Sequence, residues 1–368
     1  MSTRSLSLLV LTVMGISGCG TDPMLATHEA PMPIASHQRV SFQGEEVLRI
    51  VDPEIFGLRS EHLGEARCLV PAGGTVTSVP IREKRFQELL PSWNVHVGAG
   101  ASFTVDIAVA SGTSERSPWL RIGEWGAVHG DPGTTSFHGG EVAVDLFRGT
   151  QDFDRWWWRL QAHGGPARID ALHAVVTDRK GRWHPRFDHG QATGVLSEHS
   201  LAPRSQRLED ARIAGRICSP TSVAMLLEHH GVVRSTSDFA ALLYDARHDI
   251  YGNWNRAIQG AYQLGVPGRL ERFAVWSQVR AHLADTGPLV ISIGFGSGEL
   301  TGAPLDATRG HLVVLCGLDG RGGVICMDPA AATLDSVRRV YAADEIERAW
   351  MDRNGVAYAF HDPSHGGR

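Results

Sequence analysis

Between residues 41 and 178 the chain alternates apolar and polar positions over short runs. The clearest runs cover residues 102–109, 119–123 and 141–147, and clusters of Gly, Pro and Ser separate them. Successive side chains of a strand point to opposite faces, so an alternation with a period of two predicts strands that are buried on one side. Several short strands with turn residues between them are typical of a β-sandwich. The pattern predicts an all-β sandwich domain over residues 41–180.

Three consecutive tryptophans stand out within this region: Trp156, Trp157 and Trp158. In a strand, Trp156 and Trp158 would face one way and Trp157 the other. One interpretation places two rings in the core and the third at a contact between domains. The other makes the tryptophans part of a surface that binds a glycan or protein ligand.

From about residue 200 the pattern changes to a helical period. One face of the predicted helix carries Val223, Leu226, Leu227 and His230. Cys218 or Ser219 suits the N-cap, Pro220 suits the first turn, and Gly231 suits the C-terminal stop. Further helices are predicted at about 236–243, 255–264 and 276–284, and strands at 288–293, 311–316, 323–327 and 356–360. Helices followed by antiparallel strands predict an α+β domain over residues 200–368. Residues 181–199, with scattered Pro, His and Gly, are interpreted as a linker.

The N-terminus has the order of a lipoprotein signal peptide. Arg4 precedes an uncharged, largely apolar stretch over residues 6–16, and small residues then lead to Cys19. The stretch is too short to span a bilayer. We expect residues 1–18 to be a signal peptide, Cys19 to be lipidated, and residues 19–40 to form a disordered tether. The chain would be exported and lipid-anchored to the bacterial envelope; the alternative is a soluble secreted protein in which Cys19 has no special role.

The net charge argues against one class of partner, and the cysteine count limits the number of disulfides. The formal net charge of -5 over 368 residues argues against a nucleic-acid partner. Besides Cys19 the chain has four cysteines: Cys68, Cys218, Cys316 and Cys326. If one of them must stay free for catalysis, at most one disulfide can form, so ordinary hydrophobic cores must stabilise the fold.

Cys218 is the strongest candidate for chemistry. A helix N-terminus carries partial positive charge and unpaired N–H groups, which favour a thiolate and can hold a developing oxyanion. Alone, such a cysteine is more often a small buried hydrophobe. A nucleophile also needs a base that a third polar group orients. His311 begins one predicted strand and Asp328 ends the next.

The turn between these two strands predicts that His311 and Asp328 meet. Asp319-Gly320 is a strong signal for a two-residue type I′ hairpin turn. This turn would set His311 directly opposite Asp328, within reach of a hydrogen bond. The same register excludes a Cys316–Cys326 disulfide, which would need an odd shift of the ladder.

Four segments together resemble a known family. They are Cys218–Leu227, 252–255 (Gly-Asn-Trp-Asn), 310–314 (Gly-His-Leu-Val-Val) and 327–329 (Met-Asp-Pro). In these segments the chain is similar, over about residues 200–362, to the bacteriocin-leader-processing (double-glycine-type) cysteine peptidases of the papain superfamily. The resemblance implies a papain-like fold with Cys218 as nucleophile, His311 as base and then acid, and Asp328 as the orienting group.

The chain departs from this family in two respects. Relatives commonly carry Gly where this chain has Ser219. They are typically joined to an export ATPase, which this sequence lacks, so a double-glycine leader substrate is not implied.

Gln206 is the candidate for the oxyanion donor that papain-like enzymes place upstream of the nucleophile, although a surface glutamine would also explain it. The second donor would be the backbone N–H of Cys218. Asn253 and Trp254 fit either a wall of the cleft or a helix cap and a core indole. The histidines lack metal-ligand spacing and no phosphate-binding loop is present, so we expect no metal and no cofactor.

These observations together predict an envelope-associated cysteine peptidase that hydrolyses peptide or protein substrates through a Cys-His-Asp triad and a thioester acyl-enzyme. Other Cys-His acyl-transfer reactions, such as an amidase or a transglutaminase-like activity, use the same residues. A catalytically silent lipoprotein, with a ligand bound by the β domain, is the alternative from a different class.

Overall fold

A computed structural model describes residues 36–43, 47, 68–127, 132–180 and 198–361. The predicted signal peptide, Cys19, residues 19–35 of the predicted tether and residues 181–197 of the predicted linker lie outside the described residues. In the described parts of the chain, no helix is both long and apolar enough to cross a bilayer.

The described N-terminal region is built from ten strands. These are β1 Ser36–Gln43, β2 Cys68–Val70, β3 Thr75–Thr77, β4 Ile81–Val97, β5 Ser102–Ala110, β6 Leu120–Trp125, β7 Ser136–Phe137, β8 Gly140–Ala143, β9 Leu146–His163 and β10 Ala167–Asp178. The main path of the sheet runs β1-β10-β4-β9-β5-β6, with β2, β3 and β8 paired at its sides. The all-β character of this region agrees with the sequence, whereas its division into two sandwich layers stays a prediction.

The start of the first domain needs a correction. Ser36–Gln43 pairs along its whole length with β10, beginning at Ser36 opposite Asp178. Residues 36–40, which were expected to belong to the tether, are therefore part of the sheet.

The three tryptophans alternate as predicted. Trp156 and Trp158 are 3% and 2% exposed and lie in the hydrophobic core. Trp157 is half-buried on the opposite face, and the guanidinium carbons of Arg116 and Arg155 each lie 5.9 Å from its ring centroid. Its outer side therefore meets arginine side chains, and a ligand for this face stays a hypothesis.

The run 141–147, expected as one strand, is broken by a turn. Ala143 of β8 pairs with Leu146 of β9, so Val144 and Asp145 form a two-residue hairpin turn. Val144 has φ 60°, in the left-handed region that a β-branched residue rarely adopts. The alternation of apolar and polar residues continues through the turn, which is why the sequence does not reveal it.

The C-terminal region contains the predicted helices followed by strands. The helices are α1 Cys218–His229, α2 Thr236–Leu243, α3 Trp254–Gln263, α4 Trp276–Asp285 and the short α5 Ala343–Ile346; the strands are β11 Gly268–Arg272, β12 Leu289–Phe295, β13 Thr308–Leu318, β14 Gly323–Met327, β15 Arg338–Ala342 and β16 Val356–Phe360. The antiparallel sheet has the order β11-β16-β12-β13-β14-β15. The sequence missed β11 and β15, the two edge strands.

Helix α1 lies deep in this region. Every residue from Cys218 to Leu227 is buried, and the Ser222 hydroxyl donates to the Leu312 carbonyl of β13 over 2.9 Å. Gly231 ends the helix with φ 81°, as predicted. The predicted cap is wrong: the N-cap residue is Ile217, which makes no side-chain hydrogen bond, and Cys218 is already the first helical residue.

Helix α3 joins the two regions. The buried carboxamide of Gln259 accepts from the Val95 N–H over 3.0 Å and donates to the Val95 carbonyl over 2.6 Å. One turn further along the helix, Gln263 donates to the Val97 carbonyl over 2.6 Å. The helix thus replaces a neighbouring strand along this part of β4, because it satisfies backbone groups that would otherwise be buried without partners.

The outer edge of β11 also rests on the first sheet. Leu270 donates its N–H to the Ser92 hydroxyl over 3.0 Å, and the Gly268 carbonyl accepts from the Asn94 amide over 3.1 Å. Residues of both regions form one continuous hydrophobic cluster. Side chains of β4 therefore occupy the hydrogen-bonding edge that β11 would otherwise present.

Candidate active site

Cys218 stands at the positive end of a buried helix. It is 6% exposed and begins α1. The N–H groups of a first helical turn have no acceptor within the helix, and here the N-cap side chain supplies none. The sulfur and the backbone N–H of Cys218 therefore lie where the helix dipole favours negative charge.

His311 and Asp328 form a buried hydrogen-bonded pair. His311 Nε2 and Asp328 Oδ1 are 2.8 Å apart, and the two residues are 0% and 1% exposed. The Ala330 N–H donates to Oδ1 over 2.9 Å, and the Tyr341 hydroxyl donates to Oδ2 over 2.8 Å. Burial acts to raise the pKa of Asp328, but the charge and hydrogen bond of His311, followed by the other two donors, lower it below its ordinary value. The carboxylate is therefore held ionised and fixes the orientation of the imidazole.

The pair forms by a different route from the one that the turn predicted. The ladder pairs Leu315 with Cys326 and, after a bulge, Leu318 with Val324, and the four residues 319–322 connect β13 to β14. Asp319 organises this loop because its carboxylate accepts from the N–H groups of Arg321 and Gly323. The predicted two-residue turn and the direct opposition of 311 and 328 are wrong.

His311 and Asp328 still make contact because they are diagonal neighbours in the β13–β14 ladder. Val314 pairs with Met327, and the next position along β14 sets Asp328 opposite Val313, two residues from His311. Diagonal positions share a face of the sheet and lie within reach of long side chains. His311 therefore reaches Asp328 across the diagonal.

The other cysteines of the described residues are buried free thiols. Cys68, Cys316 and Cys326 form no disulfide. The sequence argument against a Cys316–Cys326 bond rested on the two-residue turn, which the structure does not contain. Burial raises the pKa of Cys68 to about 11 and that of Cys316 to about 12, and it raises the pKa of Cys326 well above its ordinary value. These thiols stay protonated at neutral pH and are poor nucleophiles.

Helix α1, which begins at Cys218, packs against strand β13, which carries His311. Ser222 contacts Leu312, the residue that follows His311. Cys218 lies four residues before Ser222, which is about 6 Å along the helix axis. This contact places the helix that begins at Cys218 beside the strand that carries His311.

Gln206 lies in the same neighbourhood. It is 1% exposed, its N–H donates to the Pro329 carbonyl over 2.9 Å, and its side-chain amide donates to the Ala214 carbonyl over 2.8 Å. Gln206 is therefore not a surface residue. It links the segment after Asp328 to the loop that leads into α1, and an amide nitrogen carries two hydrogens, so the bond to Ala214 does not by itself exclude an oxyanion contact.

The sequence did not predict the role of Tyr341 or the packing of Gly252, which lie beside the pair and the helix. Tyr341 lies on β15, an edge strand that the sequence analysis missed, and no pattern marks it as a partner of Asp328. Gly252 packs against the residue after the nucleophile: a Cβ at Gly252 would lie 2.6 Å from the Cβ of Ser219. Within the described ranges, no cluster of His, Cys, Asp and Glu could hold a metal ion.

Comparison with protein families gives two matches, one for each region. Residues 199–358 match the Peptidase_C39 like family, and residues 63–174 match the peptidase C39 N-terminal domain. The C-terminal region is therefore a cysteine-peptidase-like domain of the papain type. More particularly, each region is similar to a peptidase C39 family domain, and this similarity supports a cysteine-type peptidase.

Solved structures add distant likenesses. The peptidase domain of Streptococcus ComA, a bifunctional ABC transporter involved in a quorum-sensing pathway, has 17% identity and a TM-score of 0.33, and the match covers 44% of this chain and 97% of that one. A structure of infectious bursal disease virus strain Gt has 12% identity and a TM-score of 0.23, covering 48% of this chain and 41% of that one. TM-scores this low do not establish a common fold. No curated protein matches the chain.

Proposed function

We propose that the protein is a cysteine peptidase in which Cys218 attacks the carbonyl carbon of a peptide bond. The observation that carries the proposal is the buried His311–Asp328 pair beside the helix that begins at Cys218, within a peptidase C39-like domain. A thiolate needs a base and an orienting group to act repeatedly, and these residue types supply both.

The reaction follows from the geometry of His311. Because Nε2 is bonded to Asp328, proton exchange with the thiol and the substrate falls to Nδ1. The thiolate adds to the carbonyl carbon, and the imidazolium then gives its proton to the leaving amine as the C–N bond breaks. Water, deprotonated by the imidazole, attacks the resulting thioester; the acid product leaves and the thiolate–imidazolium pair is restored.

The oxyanion of each tetrahedral intermediate would be held by the Cys218 N–H and by the side chain of Gln206. Losing one such donor typically lowers kcat by about 10²–10³-fold. We expect this loss in Gln206→Ala, measured together with its melting temperature because the bond to Ala214 also has a structural role. Turnover close to wild type would reassign Gln206 to a purely structural role.

The decisive experiment compares wild type with Cys218→Ala on a mixed peptide library, with cleavage followed by mass spectrometry. Cys316→Ala is the matched control, because Cys316 is another buried cysteine with no part in the reaction. We expect cleavage by wild type and the control and none by Cys218→Ala. Absence of cleavage by all three, with no alkylation of Cys218 in the folded wild type, would favour the catalytically silent alternative.

The class of acyl acceptor is tested in the same assay. A primary amine added to the reaction competes with water for the thioester. Products that carry the amine even at low amine concentration would favour a transglutaminase-like activity, whereas free carboxylic acids are expected from a peptidase.

We also propose that the protein is exported and held at the envelope by lipid on Cys19. The support is the sequence alone: an apolar stretch followed by small residues and Cys19. Metabolic labelling with a radioactive fatty acid should mark wild type but not Cys19→Ser, and the variant should move from the membrane to the soluble fraction. Equal membrane association of both would contradict the anchor.

A further inference from the structure

A carboxylate of the N-terminal domain caps a helix of the peptidase domain. Asp145 is 4% exposed, and its Oδ2 accepts a hydrogen bond from the N–H of Trp254, the first residue of α3. The bond joins residues 109 positions apart in the sequence. It is therefore a specific contact between the two regions.

Helix α3 has no cap of its own. Its N-cap residue, Asn253, makes no capping hydrogen bond through its side chain, whose amide nitrogen donates instead to Asp245 over 2.6 Å. The first N–H groups of a helix need an acceptor from outside the helix, and a negative charge is favourable at this end. Asp145 supplies the acceptor and the charge together.

The backbone before Asp145 is strained. Val144 adopts φ 60° in the tight turn between β8 and β9, where glycine or asparagine would be the ordinary choice. Such a conformation persists only where the surrounding structure holds it. The turn carries Asp145 out of the first sheet toward the start of α3.

The capped end of α3 continues directly to the wall beside the nucleophile. Gly252 comes two residues before Trp254, and the space for a Cβ at Gly252 is filled by Ser219, whose Cβ and Oγ would both lie at 2.6 Å. Ser219 follows Cys218 in α1. A displacement at the start of α3 therefore acts on the residue next to Cys218.

We propose that Asp145 is a positioning residue for the peptidase reaction, through which the N-terminal domain fixes the 252–254 segment against the N-terminus of α1. The proposal rests on the function proposed above and gives the N-terminal domain a direct part in it. Catalysis is sensitive to placement, since a misplacement of about 1 Å by a remote substitution can cost about 10²-fold in rate.

The chain offers a matched control at the other end of the same helix. Gln263 also bonds across the interface, to the Val97 carbonyl over 2.6 Å, but it is the last residue of α3. Gln263→Ala removes an interdomain hydrogen bond and leaves the capped end untouched. Any effect shared by both variants measures attachment of the domains, whereas an effect confined to Asp145 measures positioning.

The experiment compares Asp145→Ala, Asp145→Asn and Gln263→Ala with wild type at a temperature where all remain folded. We expect Asp145→Ala to lower kcat/KM by about 10–100-fold, mainly through kcat, Asp145→Asn to recover much of the loss because it keeps an acceptor oxygen, and Gln263→Ala to stay within about threefold of wild type. Equal losses in the alanine variants, or kcat/KM of Asp145→Ala within twofold of wild type, would overturn the proposal.

A second measurement does not depend on activity. Hydrogen exchange of residues 252–256 should be at least tenfold faster in Asp145→Ala than in wild type and unchanged in Gln263→Ala. If the wild type cleaves no peptide, the proposed function fails, but the exchange result still decides whether Asp145 holds this segment.

The variant Gly252→Ala tests the contact between Gly252 and Ser219 directly, because its new Cβ must displace Ser219. It should reproduce the loss of kcat with Asp145 intact. Normal kcat in this variant would contradict the route through Gly252.

Discussion

Replacing Tyr341 by phenylalanine tests whether the Asp328 carboxylate is held ionised in the fold. The hydroxyl of Tyr341, a residue 1% exposed, donates to Oδ2 of Asp328, a residue also 1% exposed, over 2.8 Å. A buried hydrogen bond to a charged group contributes about 1.5–3 kcal/mol, whereas one between neutral groups contributes about 0.5–1.5 kcal/mol. We expect Tyr341→Phe to lower the free energy of unfolding at pH 7 by the larger amount.

Tyr358 provides the control, because it is equally buried and its hydroxyl pairs with the neutral hydroxyl of Ser219 at 3.1 Å. Urea denaturation of Tyr341→Phe and Tyr358→Phe, each measured also with Asp328→Asn, separates the charge from the lost packing. In the Asp328→Asn background the cost of Tyr341→Phe should fall to about 1 kcal/mol, while that of Tyr358→Phe should not change. The reasoning is refuted if the two tyrosines cost the same in wild type, or if Asp328→Asn leaves the Tyr341 cost unchanged.

Three further predictions concern other parts of the chain. Burial lowers the pKa of His173 from 6.5 to about 3, so this histidine is neutral in the folded protein but takes up a proton in the unfolded chain below pH 6.5. The free energy of unfolding should therefore fall by about 2 kcal/mol from His173 alone between pH 7 and pH 5, and denaturation of His173→Gln over the same range should show a smaller fall. Iodoacetamide at pH 7 should alkylate Cys218 in the folded protein and leave Cys316 and Cys326 unmodified, because burial raises the pKa of both; mass spectrometry that finds all three labelled at similar rates would contradict the assignment. Gly231→Ala should cost about 1–2 kcal/mol, because φ is 81° and only the backbone conformation, not a steric contact, opposes the substitution; a melting temperature equal to wild type would show that the helix ends differently.

The sequence predicted the helices of the C-terminal region well because their signals are local. Apolar period, cap residues and glycine stops lie within each helix, and α2 has the predicted bounds. Strand β4 shows the limit of such signals. It runs from Ile81 to Val97, but charges fill its first half and Pro91 lies within it. Its burial on both faces depends on α3 and β11, which lie more than 150 residues away in the sequence.

The His311–Asp328 pair was predicted correctly from an incorrect turn. Asp319-Gly320 was expected to close the hairpin, but Gly322 adds a second position with φ of 90°, and the Asp319 carboxylate stabilises the longer loop. The bulge between Leu315 and Gly317 offsets part of this change. The observed register differs from the predicted one by two residues at Asp328. A shift of two keeps His311 and Asp328 on the same face of the sheet as diagonal neighbours, so their side chains still meet.

The turn at Val144 and Asp145 was missed for a different reason. In the run 141–147, apolar residues recur at 142, 144 and 146, a spacing that fits a strand through the turn. What stabilises the turn is a partner in another domain, the N–H of Trp254. A pattern within one segment contains no information about such a partner.

The contacts of β4 with the edge of β11 have a consequence for how the protein can be produced and how it could have changed over time. A peptidase domain separated from the N-terminal domain would present the N–H of Leu270 and the carbonyl of Gly268 without their partners Ser92 and Asn94. An uncovered edge strand is a template for pairing with another chain, so the isolated domain should self-associate and precipitate. The two domains are therefore expected to form one unit of folding and of inheritance, and a relative that lacks the first domain would need a charge, a proline or another segment to protect the edge of its sheet.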